Sequence, residues 1–217
     1  MRAGKVWDLP VRLTHWSFPV LIPAMWLTAE NSQWGLHKQL GHVLLFVLTF
    51  RIIWGFLGTR TARFASFVRG PMAIISYLRG TSDFNGVGHS PLAALSVIVL
   101  LGAMLVQVSL GLFAGDPFDG ATGPLNDLVG VMTADRITDI HEIGIYVIGG
   151  LVALHLLAIF YYDAIKWSGL VGPMISGRKM NVAPEAEIEP ASLLRLITSL
   201  AIAAALSLWV WNGAPPL

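Results

Sequence analysis

Ile140-His-Glu-Ile-Gly-Ile-Tyr-Val-Ile-Gly-Gly-Leu-Val-Ala-Leu-His155 is the stretch whose reading decides the fold. Apart from its two histidines and one glutamate it is almost wholly apolar, as a helix inside a membrane must be. His141 and His155 are fourteen residues apart, close to four helical turns. Both imidazoles therefore leave nearly the same face, about 21 Å apart along the axis. Imidazoles inside a membrane are costly and mark functional positions. Two nitrogen ligands at two depths of one helix suit two metal centres stacked across a bilayer.

The rest of the chain agrees with a membrane setting. Of 217 residues 55% are hydrophobic and 12% charged, and the mean hydropathy is +0.67. That excludes an ordinary soluble domain. A net charge of +1 without a basic tract gives no reason to expect a nucleic-acid partner. The chain has no cysteine, which excludes disulfides, iron–sulfur ligation and thioether attachment of a haem. Among eight tryptophans, Trp7, Trp16, Trp34, Trp167, Trp209 and Trp211 fall near expected helix ends, where amphipathic rings favour the membrane interface.

Five apolar segments are each near the ~20 residues that a bilayer requires: 13–29, 36–57, 92–114, 137–162 and 193–211. The first carries Pro19 and Pro23, which predict a kink. A cleaved signal peptide is the alternative there, but His15, the two prolines and the lack of a small-residue cleavage site speak against it. The second holds His37, Lys38, His42 and Arg51, too many polar groups for a helix surrounded by lipid. The last is rich in Ala and Leu and carries no ligand candidate. Residues 71–79 read as an interfacial helix opened by Pro71, and 181–192 as a polar linker. The expected division is thus a bundle over 1–180, a linker, and an additional C-terminal span.

Lys and Arg concentrate in alternate loops. Arg2, Lys5 and Arg12 precede the first span; Arg60, Arg63, Arg69 and Arg79 follow the second; Lys166, Arg178 and Lys179 follow the fourth. These regions are expected to be cytoplasmic. The loop 115–139 carries Asp116, Asp119, Asp127, Asp135 and Asp139 against Arg136, and is expected outside. The N-terminus is then inside and the C-terminus outside.

This topology assigns depths to the histidines. His15 and His155 lie near the cytoplasmic ends of the first and fourth spans. His37 and His141 lie near the outer starts of the second and fourth. The result is two level pairs, each drawn from two helices, as bis-imidazole ligation of a haem held inside a bundle requires. Without cysteine, such haems are b-type and non-covalent. The alternative for any one of these histidines is an interfacial or capping role. His42 is the rival of His37; five residues on, it points about 140° away and about 7 Å deeper, and His37 is the one level with His141. His89, in Gly86-Val-Gly-His-Ser-Pro91, is either a capping histidine or a contact to a propionate or quinone. Arg51, fourteen residues after His37, either snorkels to the interface or pairs with haem propionates. Gly41, Gly144, Gly149 and Gly150 either allow close helix packing or let a flat macrocycle approach the backbone.

Val6-Trp-Asp-Leu-Pro-Val-Arg-Leu-Thr-His15-Trp16, Leu36-His-Lys-Gln-Leu-Gly-His-Val43, Arg51-Ile-Ile-Trp-Gly55, Gly88-His-Ser-Pro-Leu92 and the His141–His155 spacing, over about residues 5–180, are similar to the pattern of one known family. On these motifs the chain resembles the bacterial cytochrome b561 group, which includes the cytochrome b subunits of nickel–iron hydrogenases. The resemblance implies an all-α membrane protein: a four-helix transmembrane bundle holding two b haems, here with a fifth C-terminal transmembrane helix that the family pattern does not need. It implies His15, His37, His141 and His155 as iron ligands, with helix four supplying two, and prefers His37 over His42. It also implies residence in lipid, in the bacterial inner membrane, and electron transfer between the quinone pool and a periplasmic redox partner, either a hydrogenase-like subunit or a c-type cytochrome. A stand-alone quinone-reducing oxidase of superoxide is the alternative, because some relatives act so. A haem-free transporter using histidines as proton relays or zinc ligands is a third reading; no inverted repeat supports it.

Overall fold

The computed structural model describes residues 2–82, 84, 86–117 and 120–214. Long helices account for most of the chain: α1 (Leu9–Glu30), α2 (Trp34–Leu57), α5 (Pro91–Phe113), α6 (Val131–Phe160) and α8 (Leu193–Trp211). Between them lie the short helices α3 (Phe64–Phe67), α4 (Pro71–Leu78) and α7 (Val171–Ser176). A π-helical turn, Tyr161–Ile165, extends α6. Two three-residue strands, β1 (Ala3–Lys5) and β2 (Arg178–Met180), pair antiparallel.

Local chemistry sets the helix starts. Asp8 caps α1, its Oδ1 accepting from the Val11 amide at 2.8 Å, and Pro10 occupies the first turn, where its missing N–H costs nothing. Ser90 caps α5 in the same way, with Pro91 following it. α6 begins at Val131, so Asp135, Arg136 and Asp139 ride on its first turns rather than in the preceding loop. Neither a Ser, Thr, Asn nor Asp caps that start; Gly130, at φ +76°, turns the chain into it.

Among the described residues four helices are long and apolar enough to cross a membrane: α2, α5, α6 with its π turn, and α8. α1 has the length, at 22 residues, but is not among the four. Thr14, His15, Ser17, Pro19 and Pro23 dilute its apolar character. It nevertheless packs antiparallel along the whole of α2. At one end Trp54 Nε1 donates to Asp8 at 2.9 Å; at the other, the Met25 carbonyl meets the His37 ring.

α8 runs antiparallel to α2 on another face, with Ser207 Oγ donating to the His42 carbonyl. α5 and α6 form the second closely packed pair. Leu21, Leu44, Leu45, Leu48, Leu101, Met104, Val108, Ile148 and Val210 join all five long helices in one apolar core. One end of the bundle gathers the basic loops. There Val6, Trp7, Phe50, Trp54, Val182 and Ala203 form a second core, and β1–β2 ties the N-terminus to the segment after α7. The opposite end carries the acidic loop.

Candidate functional site

The four histidines expected to act as ligands sit on three helices: His15 on α1, His37 on α2, and His141 and His155 on α6. At the acidic end, the His37 and His141 rings face one another with centroids 6.4 Å apart and planes perpendicular. Two nitrogen–metal bonds of about 2.0–2.1 Å each would take about 4.1 Å of that spacing. The remainder, about 1.2 Å per ring, is about the radius of a five-membered ring, so the centroid spacing is of the size that two imidazoles on one ion take.

Hydrogen bonds fix which nitrogen is available. His37 Nδ1 lies 2.9 Å from the Met25 carbonyl and 3.4 Å from Thr28 Oγ1. His141 Nδ1 lies 3.0 Å from the Gln107 carbonyl. A carbonyl only accepts, so each Nδ1 carries the proton and each Nε2 keeps its lone pair. This is how backbone carbonyls orient a metal-bound imidazole. Gln107 grips His141 twice, because its side-chain Nε2 also donates to the His141 carbonyl at 2.8 Å. Glycine makes the grip possible: a Cβ on Gly111 would meet His141 Cε1 at 2.8 Å, and one on Gly144 would collide with the Gln107 amide.

At the basic end, His15 lies within electrostatic reach of His155 and Arg51. His155 Nδ1 is 3.1 Å from Ser96 Oγ on α5. His15 Nδ1 is buried without a hydrogen-bond partner among the described residues. Arg51 is largely buried, at 5% exposed; its Nη1 donates a long 3.5 Å bond to the Ala62 carbonyl, and its guanidinium lies 5.2 Å from the Phe64 ring centre.

Each pair offers two imidazole nitrogens, and among the described residues no group of three or more His, Cys, Asp or Glu converges. A bare zinc site takes three or four protein ligands. A bis-imidazole haem takes two, with the macrocycle completing the coordination. The donor set fits haem.

His42 points elsewhere. Its ring packs edge-on to Trp211 of α8 at 4.3 Å, and its Nδ1 meets the Lys38 carbonyl at 2.7 Å. Gly41 would bring a Cβ no closer than 3.5 Å, to Met25, and a Cβ on Gly149 or Gly150 would meet no other packed group within 4 Å among the described residues. Asp116, Asp127, Asp135 and Asp139 lie at the acidic end; Asp119 falls outside the described residues.

Two groups of supporting residues were not anticipated. Asp8 is buried and accepts from Val11, from Trp54 Nε1, and from Thr59 Oγ1 at 2.7 Å, which binds the start of α1 to the end of α2. Its signal was present in the sequence as an aspartate two residues before Pro10, a helix-start pattern. Gln107 and Ser96 had no such signal, since what they touch depends on the register of α5 against α6.

A family model described as prokaryotic cytochrome b561 matches residues 6–177, well over half of the chain. Searches of curated proteins and of solved structures give no match.

Proposed function

The chain belongs to the prokaryotic cytochrome b561 family, and on that premise we propose that it carries electrons across the bilayer through two non-covalent b haems. Membership makes it a multi-pass membrane cytochrome b of electron transport. The finer reading concerns number, ligands and direction. His37 and His141 hold one haem iron at the acidic end, and His15 and His155 hold the other at the basic end. The observation that carries this reading is the 6.4 Å His37–His141 spacing, with both Nδ1 protons committed to carbonyls. When bound, haem supplies one-electron redox chemistry.

The protein's own residues supply position and surroundings. Met25, Gln107 and Ser96 orient three of the four imidazoles through Nδ1. Leu44, Leu48, Met104 and Ile148 pack the interior between the two levels and exclude water there. Arg51 offers a cation to the propionates of the basic-end haem. Residues 1–180 constitute the di-haem bundle, in which α1 is a membrane span like α2, α5 and α6; residues 181–192 link it to α8.

The basic loops set the orientation: N-terminus cytoplasmic, C-terminus periplasmic, in the inner membrane of a bacterium. Electrons then pass between the quinone pool and a redox protein on the periplasmic side, a hydrogenase-like subunit or a c-type cytochrome. The test is reconstitution into quinone-containing vesicles with an impermeant reductant outside. Reduction of quinone that requires all four ligand histidines supports the reading; reduction that persists without His37 and His141 contradicts it.

A further inference from the structure

Gly86-Val-Gly-His-Ser-Pro91 is built to hold one side chain in place. Gly86 and Gly88 both sit at φ +76°, a conformation that L side chains rarely adopt. Lys179 Nζ donates to the Gly86 carbonyl at 2.9 Å, and Ser90 begins α5 at once. The His89 ring is gripped between Trp7, edge-on at 4.7 Å, and Phe67 at 4.2 Å. Its Nδ1 is buried and has no hydrogen-bond partner among the described residues. Such a group is retained when a ligand supplies the missing partner.

Arg51 lies 5.2 Å from the Phe64 ring centre, Phe64 meets Phe67 edge-on at 5.8 Å, and Phe67 holds His89, so one aromatic run joins the cation to the imidazole, with His15 also within electrostatic reach of His89. Burial first, then the Arg51 charge and His15, push His89 down to about 3, so it is a neutral imidazole and one of its nitrogens donates. Arg51 is a largely buried cation with five N–H donors, yet among the described residues it makes one long bond. The anion that acts on it through space, Asp8, is engaged by Val11, Trp54 and Thr59. A buried guanidinium so placed calls for a further anion of fork-matching shape.

We propose that His89 and Arg51 together form a carboxylate-binding site that holds the propionates of the haem carried by His15 and His155. This rests on the di-haem reading above. The ligand class follows from charge: a quinone carbonyl would accept from His89 but would leave Arg51 uncompensated, whereas a carboxylate satisfies both. His89 is a positioning residue for the cofactor and does not touch iron.

The test uses the full chain, purified with its haems and freed of quinone. The variants are His89→Phe, which removes the donor; His89→Asn, which keeps a donor at the Nδ1 position; and Arg51→Gln. Two readouts are taken: the midpoint potential of each haem, and the carboxylate bands in redox-difference infrared spectra. Losing a donor or cation beside a propionate leaves more negative charge near the iron and disfavours its reduction. His89→Phe and Arg51→Gln should therefore lower the potential of the basic-end haem alone. A tenfold change in its reduction equilibrium corresponds to about 59 mV. The carboxylate bands should shift, and His89→Asn should restore both readouts. Loss of the basic-end haem in His89→Phe but not in His89→Asn also supports the site.

Unchanged potentials and bands in His89→Phe with both haems bound overturn it, as does haem loss in both His89 variants, which would make packing the cause. An effect that appears only when quinone is restored overturns it in favour of a quinone contact. A wild-type chain without bound haem overturns the di-haem reading itself, and the haem assay of the wild type separates that failure from the others.

Discussion

Gly111→Ala puts the acidic-end site under direct strain. The added Cβ would stand 2.8 Å from His141 Cε1 and 3.4 Å from each ring nitrogen. Carbon atoms rest about 3.5–4.0 Å apart, so the ring would have to retreat by roughly 1 Å. That retreat stretches the 3.0 Å bond between His141 Nδ1 and the Gln107 carbonyl beyond the ~3.2 Å limit of a good hydrogen bond. Overpacking costs about 1–3 kcal/mol and the lost bond about 0.5–1.5 kcal/mol. A combined penalty of about 2–4 kcal/mol weakens haem binding at that site roughly 30- to 1000-fold, since each 1.4 kcal/mol is tenfold. The assay is haem retention after purification, read from separate absorption bands of the two haems. Gly102→Ala is the control: it lies on the same helix, and its Cβ would meet nothing within 4 Å. It should be neutral or stabilise α5 by about 0.5–1 kcal/mol. If Gly111→Ala holds both haems as tightly as Gly102→Ala does, the placement of His141 as a ligand against α5 is refuted.

The other ligand assignments separate by level. His15→Ala and His155→Ala should each remove the basic-end haem and leave the other spectrally intact, His37→Ala and His141→Ala should do the reverse, and His42→Ala should keep both; a haem lost with His42 but kept without His37 reverses the choice on α2. Asp8→Ala removes a helix cap worth about 0.5–2 kcal/mol and leaves the buried Trp54 and Thr59 donors unpaired at about 1–3 kcal/mol each, so thermal unfolding in detergent should show a marked fall in Tm, and an unchanged Tm would deny Asp8 its clamping role. Neutralising Asp116, Asp119, Asp127 and Asp135 together should slow electron transfer from a basic periplasmic partner and flatten its salt dependence; an unchanged rate at low salt would leave these residues only a topological part.

The elements most legible in the sequence are those dictated by solvent. A bilayer demands about 20 apolar residues, and the apolar runs that form α2, α5 and α8 announce themselves. α1 is less legible because its own polar residues and prolines obscure it, and its place is set by Asp8 and Met25 reaching α2. α6 shows why boundaries are harder: Asp135 and Asp139 look like loop residues, yet their charges project from its first turns. The level pairing of the histidines is read from the loop charges, which give each span a direction, together with helical rise. What the sequence withholds is register. That Gln107 faces His141, that Ser96 faces His155, and that His89 is wedged between Trp7 and Phe67 all depend on how helices slide and rotate against one another. No local pattern encodes this. The β1–β2 pairing is equally silent, because three-residue strands nearly the whole chain apart carry no period to read.

The central claim is two b haems held by four histidines at two levels, and a pyridine haemochrome assay against protein mass tests it most directly. The account predicts two haems per chain, both extractable without breaking a covalent bond, and both low-spin and six-coordinate before extraction. One haem per chain, none, or haem that stays attached after extraction would contradict it.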